Sequence, residues 1–195
     1  IEIGYYIIPS HTYKNLGNKK VFTGKALDDR VGCYILMEIA KKVKNPKVDL
    51  YLVFTVQEEM GLYGAKTSVY EINPVWGIAV DVTDARDSDI RGELSIGSGP
   101  YITVKDAEML SNLALDDWLK KIAKKKKIPY QLEVSDFGTT DATSMMLSRK
   151  GIPSTAISIA VRNIHSTVGI SHMDDVDNTI KLLTELLKNP PKIYV

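Results

Sequence analysis

The sequence has 195 residues, 44% of them hydrophobic and 25% charged, and a formal net charge of +1. This composition is typical of a globular protein, and we expect a single domain over residues 1–195. The near-neutral charge gives no electrostatic reason to expect a nucleic acid or an anionic membrane as partner. No apolar run reaches the roughly 18 residues that span a bilayer. Cys33 is the only cysteine, which excludes an internal disulfide and fits a reducing, cytoplasmic location.

The hydrophobic pattern predicts strands and helices that alternate along the chain. Short apolar runs rich in β-branched and aromatic residues predict strands at 1–8, 48–56, 75–82, 101–104, 129–134 and 153–161. Apolar residues spaced by three or four predict helices at 31–43, 61–71, 110–127, 141–149 and 175–187. We expect an α/β fold of three layers, in which helices cover both faces of a mostly parallel mixed sheet.

Three helices have a predicted apolar stripe that we can assign to residues. In the helix at 31–43 the stripe consists of Val31, Ile35, Ile39 and Val43. In the last helix the stripe consists of Val176, Ile180, Leu183 and Leu187. In the helix at 110–127 it is expected to consist of Leu113, Ala114, Trp118 and Ile122.

Acidic and imidazole side chains are predicted to gather at one edge of the sheet. Glu58 and Glu59 follow one strand, Asp81 ends a second, and His165 lies just beyond a third. Asp28 and Asp29 precede a helix whose N-terminus points at the same edge. Open α/β sheets place their chemistry at the carboxyl ends of the strands. Carboxylates combined with histidine are the ligands of zinc and similar divalent ions in hydrolytic sites, so a metal site is predicted.

Each of these residues has a simpler interpretation when taken alone. A single carboxylate at a strand end is commonly a cap or solvated, and a single histidine is commonly a surface or core residue. The adjacent Glu58 and Glu59 also suggest the carboxylate pair of a glycosidase. Neighbours on a strand point to opposite faces, which disfavours a pair facing each other across a sugar at about 5–9 Å.

Five short motifs carry a resemblance to a known family. They are Gly-Lys-Ala-Leu-Asp-Asp-Arg-Val-Gly at 24–32, Val-Gln-Glu-Glu-Met-Gly at 56–61, Ala-Val-Asp at 79–81, Gly-Thr-Thr-Asp-Ala at 138–142 and Ile-His-Ser at 164–166. In this order they resemble the glutamyl and tetrahedral aminopeptidases, a family of dimetal exopeptidases in which some members carry an endoglucanase or cellulase label. The resemblance covers most of the chain.

The resemblance implies a zinc-exopeptidase-like fold and a metal-dependent aminopeptidase that removes the N-terminal residue of peptides. It also implies two divalent ions per site, zinc or cobalt, and oligomers built from dimers, up to dodecamers. Asp28 is implied as the carboxylate that bridges both metals, Glu59 and His165 as ligands of one metal, and Asp81 as a ligand of the other.

Two further roles follow from the resemblance, and one position stays open. Glu58 is implied as the general base, and Asp29 as the support of the bridging carboxylate through the Asp28–Asp29 peptide. Asp141 is either a substrate contact or the N-cap of the helix at 141–149.

The chain departs from the family pattern at its start. The family has a further histidine ligand in an N-terminal segment, and a dimerisation domain, both before the motif at 24–32. The chain begins too late to contain either, so the metal site that uses Asp81 is expected to lack one ligand. His11 and His172 are substitutes by residue type, although a solvated surface position is the favoured interpretation of both.

Two explanations of this gap remain open. The chain is either the C-terminal part of the family's catalytic domain, or a reduced, metal-deficient relative that binds peptides or serves in assembly without catalysis. We favour the fragment, because residues 1–8 read as a strand in the middle of a sheet.

Overall fold

The computed structural model describes residues 2–8, 10, 13–87 and 94–193. Seven strands lie in this part of the chain: β1 (Lys14–Asn15), β2 (Val21–Gly24), β3 (Gly77–Asp84), β4 (Tyr101–Lys105), β5 (Gln131–Val134), β6 (Ser154–Val161) and β7 (Gly169–His172). Five helices accompany them: α1 (Leu27–Lys42), α2 (Tyr63–Ile72), α3 (Leu113–Lys126), α4 (Asp141–Met146) and α5 (Met173–Lys188).

The main sheet has four strands in the order β3-β6-β4-β5. β3 pairs with β6 in parallel, and β4 pairs with β5 in parallel, whereas β4 and β6 are antiparallel. A second sheet, β1-β2-β7, is antiparallel throughout. The predicted α/β class with a mixed sheet is therefore confirmed, while the small antiparallel sheet was not foreseen.

Helices cover both faces of the main sheet. α1, α3 and α5 pack together on one face, where Ile157, Ile159 and Val161 of β6 join the largest core cluster. α2 and α4 contact each other on the opposite face, where Ala156 of β6 meets Ala142 of α4. β6 is buried along its whole length because both of its faces are covered.

The predicted strand at 48–56 is not a strand in the structure. Residues 49–55 run without a turn or bend, but they form no ladder with any described residue. Tyr51 keeps 61% of its surface exposed and Phe54 52%. The prediction of a buried strand is therefore wrong for the structure described here, because no described strand pairs with these residues.

Three further predictions need correction. Residues 2–8 form no strand and are exposed, and residue 1 lies outside the described part. α4 ends at Met146, well before Arg149. The buried face of α3 begins at Leu115 and includes Leu119, whereas Leu113 is 66% exposed, because the helix starts at Leu113 after its N-cap.

The stripe predicted for α5 is confirmed, with all four of its members buried. Among the residues that the structure describes, no helix has the length and hydropathy needed to cross a membrane.

Candidate metal centre

The first two acidic residues lie at a kinked start of α1. Asp28 and Asp29 have non-helical dihedral angles, and the peptide bond between them is cis. Asp29 Oδ1 accepts a hydrogen bond from the Gly32 backbone N–H at 2.8 Å, so Asp29 caps the regular part of the helix. A Cβ at Gly32 would overlap the Asp29 carboxylate, which explains the glycine at this position.

The two glutamates lie in a turn between residues 49–55 and α2. The Glu58 carbonyl oxygen accepts hydrogen bonds from the N–H groups of Gly61 at 3.0 Å and Leu62 at 2.9 Å. Gly64 N–H donates to the Val56 carbonyl at 2.9 Å, and a Cβ at Gly64 would collide with that backbone. Glu58 and Glu59 thus lie in a turn and not in a strand. The turn leaves Glu58 half-buried and Glu59 exposed.

Asp28, Glu59 and His165 converge on one point. One ligand atom from each lies within 4.8 Å of the other two. His165 Nε2 is 3.2 Å from Asp28 Oδ2 and 3.6 Å from Glu59 Oε2. His165 follows β6 and has a φ of 57°, which turns the chain back towards α1. Two carboxylates and one imidazole form a donor set that suits zinc.

The electrostatics of this cluster favour a cation. Burial, and then repulsion from Glu59, raise the pKa of Asp28 to about 6, although His165 acts in the opposite direction. Burial, followed by repulsion from Asp141, Glu59 and Asp28, raises the pKa of Glu58 to about 7. A bound cation would offset the repulsion that opposes ionisation of these groups, so the residues present fit a divalent metal.

Asp81 lies inside β3 and not at its end, because the strand continues to Asp84. It is buried, and its Oδ1 accepts the Val82 N–H at 2.8 Å. Burial, and then repulsion from Asp29, Glu58 and Asp28, raise its pKa well above the usual range. Asp81 thus faces the same acidic centre, but it does not belong to the three-residue cluster found among the described residues.

Asp29 lies just behind the cluster in the same acidic centre. Burial raises its pKa to about 8, with further repulsion from Asp28, although the bond from Gly32 N–H lowers it.

Asp141 is the first residue of α4, and Thr140 is the N-cap of that helix. The N-cap interpretation of Asp141 is therefore wrong. Its Oδ2 accepts a hydrogen bond from Thr55 Oγ1 at 2.7 Å, and its Oδ1 is buried without a hydrogen-bond partner. Burial raises the pKa of this carboxyl, while the bond from Thr55 lowers it.

Thr55 is a residue that sequence reasoning did not single out. It belongs to no acidic or histidine motif, and its contact with Asp141 spans 86 positions. Its position three residues before Glu58 was the only sequence signal.

Of the two remaining histidines, the structure describes only His172, which does not belong to the cluster of Asp28, Glu59 and His165. His172 is the N-cap of α5, where its Nδ1 accepts the Asp174 N–H at 3.1 Å. This role in the helix cap accounts for the position of His172. His11 lies outside the described residues.

Comparison with known proteins gives evidence that does not depend on the geometry of the site. The pattern of the family described as M42 glutamyl aminopeptidase matches residues 1–182. A lysyl aminopeptidase of Pyrococcus furiosus is 39% identical over 170 residues, which cover 86% of this chain and 48% of the relative.

Solved structures give the same result. An aminopeptidase of Desulfurococcus kamchatkensis superposes with a TM-score of 0.87 at 38% identity, covering 91% of this chain and 51% of that one. A peptidase of Pyrococcus horikoshii, described as assembling into a tetrahedron or a large octahedral shell, has a TM-score of 0.75 at 29% identity, covering 89% and 52%. The chain thus spans about half the length of the relatives it matches.

Proposed function

Since this chain belongs to the family of M42 glutamyl aminopeptidases, we propose that it carries the catalytic centre of a metal-dependent aminopeptidase that hydrolyses the N-terminal residue of peptides. The observation that carries the proposal is the convergence of Asp28, Glu59 and His165 within 4.8 Å. A glycosidase has no comparable support, because Glu58 and Glu59 are neighbours in one turn and do not face each other across a cleft.

Four side chains are proposed as metal ligands. Asp28, Glu59 and His165 would hold one divalent ion, and Asp28 and Asp81 would contribute to a second. Zinc suits this donor set, and cobalt is a second candidate. The ions, when bound, would supply Lewis acidity, which polarises a carbonyl and lowers the pKa of a water molecule.

Three other residues are proposed to act on protons and on the substrate. Glu58 would take the proton of the attacking water and pass it to the leaving amine, since it is half-buried beside the proposed metal ligands and can act as a base there. Asp141 would bind the free amine of the peptide, because its Oδ1 is buried without a partner. Asp29 would hold the Asp28 carboxylate in place from the start of α1.

The partners proposed for the whole protein follow from the family. They are peptides with a free N-terminus and further copies of the protein in an oligomer built from dimers, by analogy with the shell-forming peptidase of P. horikoshii. A cytoplasmic location is proposed, in keeping with the single cysteine, Cys33. The competing function is a metal-deficient, non-catalytic subunit that binds peptides, which is favoured by the separation of Asp81 from the three-donor cluster.

Metal content and peptide hydrolysis test the proposal together. For the whole protein, we expect two zinc ions per subunit by mass spectrometry, and release of the chromophore from Lys-, Leu- or Glu-anilides. His165→Ala should lose metal and turnover, whereas Thr167→Ala, an exposed position in the same loop, should keep both. At most one ion and no turnover would support the non-catalytic subunit instead.

A further inference from the structure

His165 lies on an exposed loop between β6 and β7, and its side chain keeps 65% of its surface exposed. The Arg162 N–H donates to the Ile170 carbonyl at 2.9 Å and the Ile170 N–H to the Arg162 carbonyl at 3.0 Å, which closes the loop at its base. Exposed loops are normally the more mobile parts of a fold, yet a zinc-binding nitrogen must lie about 2.0–2.1 Å from the ion. A ligand on such a loop therefore needs a firm anchor.

Residues 163–168 form a compact turn at the tip of this loop. Ser166 Oγ donates to the Asn163 carbonyl at 2.6 Å and accepts a hydrogen bond from the Val168 N–H at 3.2 Å. Asn163 and His165 have φ values of 56° and 57°, so the chain reverses within a few residues. These hydrogen bonds keep the turn together, but they do not join it to the rest of the protein. The place of His165 therefore depends on what holds the base of the loop.

The base of the loop is joined to a carboxylate that follows β3. Arg162 Nε donates to Asp87 Oδ1 at 2.7 Å, and Arg162 Nη2 donates to Asp87 Oδ2 at 2.8 Å. Two parallel hydrogen bonds between planar groups fix the direction of the guanidinium as well as its distance. The Asp87 side chain is only 8% exposed. The hydrogen bonds from Arg162 lower the pKa of Asp87, although burial acts in the opposite direction, so the pair is charged at neutral pH.

Asp87 is held by the backbone of several segments. Its Oδ2 also accepts a hydrogen bond from the Ile96 N–H at 3.2 Å, in the loop before β4. Two residues before Asp87, the Ala85 N–H donates to the Val161 carbonyl at the end of β6 at 3.0 Å. The carboxylate is thus connected to β3, to β6 and to the loop before β4, and it gives the Arg162 side chain a fixed point of attachment.

We propose that Asp87 is a positioning residue of the metal centre, which holds His165 in place as a ligand through the Arg162 side chain and the base of the loop. At most about 11 Å of chain joins Arg162 to His165, so a change in direction at Arg162 displaces the imidazole. The inference rests on the proposed metal-dependent function, since it concerns one of the proposed ligands.

A direct effect of charge predicts a different outcome from a loss of position. Removing the negative charge of Asp87 would weaken the binding of a cation, whereas removing the positive charge of Arg162 would strengthen it. Loss of the anchor weakens binding in both cases. Substitutions of the two residues therefore separate the positioning role from the effect of charge.

Zinc affinity, measured on the full chain by competition with a chelator, tests the proposal. We expect Asp87→Asn and Arg162→Gln each to weaken zinc binding about 10–100-fold, as is typical when a group that orients a metal ligand is changed. The double variant should bind no more weakly than the single variants, because both changes remove the same ion pair. Unchanged affinity of Asp87→Asn, or opposite effects of the two single substitutions, would overturn the proposal.

Glu185→Gln is the matched control for a general loss of stability. Glu185 and Lys126 form an ion pair of 2.6 Å with 13% and 42% of their side chains exposed, against 8% and 42% for Asp87 and Arg162. This pair joins α5 to α3 and lies outside the loop that carries His165. Glu185→Gln should bind zinc like the unmodified chain. Equal weakening by Glu185→Gln and Asp87→Asn would show a general effect and overturn the proposal.

Hydrogen–deuterium exchange of the metal-free chain gives a second measurement that does not involve the ion. Asp87→Asn should speed exchange of the amides at 162–170 and leave those of α3 unchanged. Unaltered exchange at 162–170 would contradict the role of Asp87 as the anchor of this loop.

The outcomes also distinguish this inference from the proposed function. If the unmodified chain binds no zinc, the proposed metal centre is wrong and the inference is wrong with it. If the unmodified chain and the variants bind zinc equally well, only the role of Asp87 is wrong. If Asp87→Asn and Arg162→Gln do not fold, Arg162→Lys decides, because it keeps the charge without the planar two-point contact. It should still weaken zinc binding, and unchanged affinity would overturn the proposal.

Discussion

At the scale of single residues, the site depends on how two neighbouring glutamates are separated. Glu59 is exposed and lies 3.6 Å from His165 Nε2, whereas Glu58 is half-buried, with a pKa raised to about 7 by burial and by nearby carboxylates. We therefore propose different roles for them, with Glu59 as a ligand and Glu58 as the group that moves a proton.

Glu58→Gln is expected to keep the bound metal and to lower kcat by about 10²–10⁴, because an amide cannot accept the proton of the attacking water. Metal content and turnover of a Lys-anilide are measured on the same preparation. Glu71→Gln, at an exposed position of α2, is the control and should behave like the unmodified protein. Parallel loss of metal and turnover in Glu58→Gln would contradict the role of base.

At the scale of elements, the loop before β4 is fixed to the start of α5 by one buried carboxylate. Asp175 is fully buried and accepts hydrogen bonds from the N–H groups of Gly97 at 2.6 Å and Gly99 at 2.7 Å. Its place in the first turn of α5 also favours a negative charge.

Asp175→Ala is expected to lower the free energy of unfolding by about 2–4 kcal/mol, because two buried N–H groups lose a charged acceptor. Urea denaturation followed by circular dichroism measures the change. Asp177→Ala, two residues further along α5 and exposed, should change stability by less than about 0.5 kcal/mol. Equal effects of the two substitutions would show that Asp175 does not hold the loop.

At the scale of the whole molecule, the acidic centre couples stability to pH and to metal. Asp28, Glu58 and Asp29 have pKa values of about 6, 7 and 8 in the folded chain, against about 4 for ordinary carboxyls. Below about pH 4 both states are protonated and these groups have no effect. Between about pH 4 and the folded values, the carboxyls are ionised in the unfolded chain but protonated in the folded chain, so the fold loses stability as the pH rises through this range. Above the folded values the loss is complete and constant.

The metal-free chain is therefore expected to have a lower Tm at about pH 8 than at about pH 5. Zinc should raise Tm more at the higher pH, since it binds the deprotonated carboxylates. Differential scanning calorimetry with and without a chelator measures both effects. A metal-free Tm that is unchanged or higher at about pH 8 would show that these carboxyls are not held protonated by the fold.

Most of the helices and strands could be predicted from the sequence, and so could the proximity of Asp28, Glu59 and His165. The stripe of Val176, Ile180, Leu183 and Leu187 depends on helical periodicity alone, and α5 buries all four. The position of His165 just after a predicted strand indicates that it lies near the acidic residues, because parallel strands bring their carboxyl ends to one edge. The roles assigned to Asp28, Asp29, Glu58, Glu59, Asp81, Asp141 and His165 remain predictions that the proposed experiments test.

Features that depend on contacts between residues distant in sequence are seen only in the tertiary structure. Residues 49–55 have the composition of a buried strand, yet pairing requires a second backbone, and the described chain provides none beside them. The contact between Thr55 and Asp141 joins positions 86 apart, and no local pattern encodes it. Local periodicity thus predicted most of the helices and strands, whereas the pairing of strands depends on backbones that are distant in sequence.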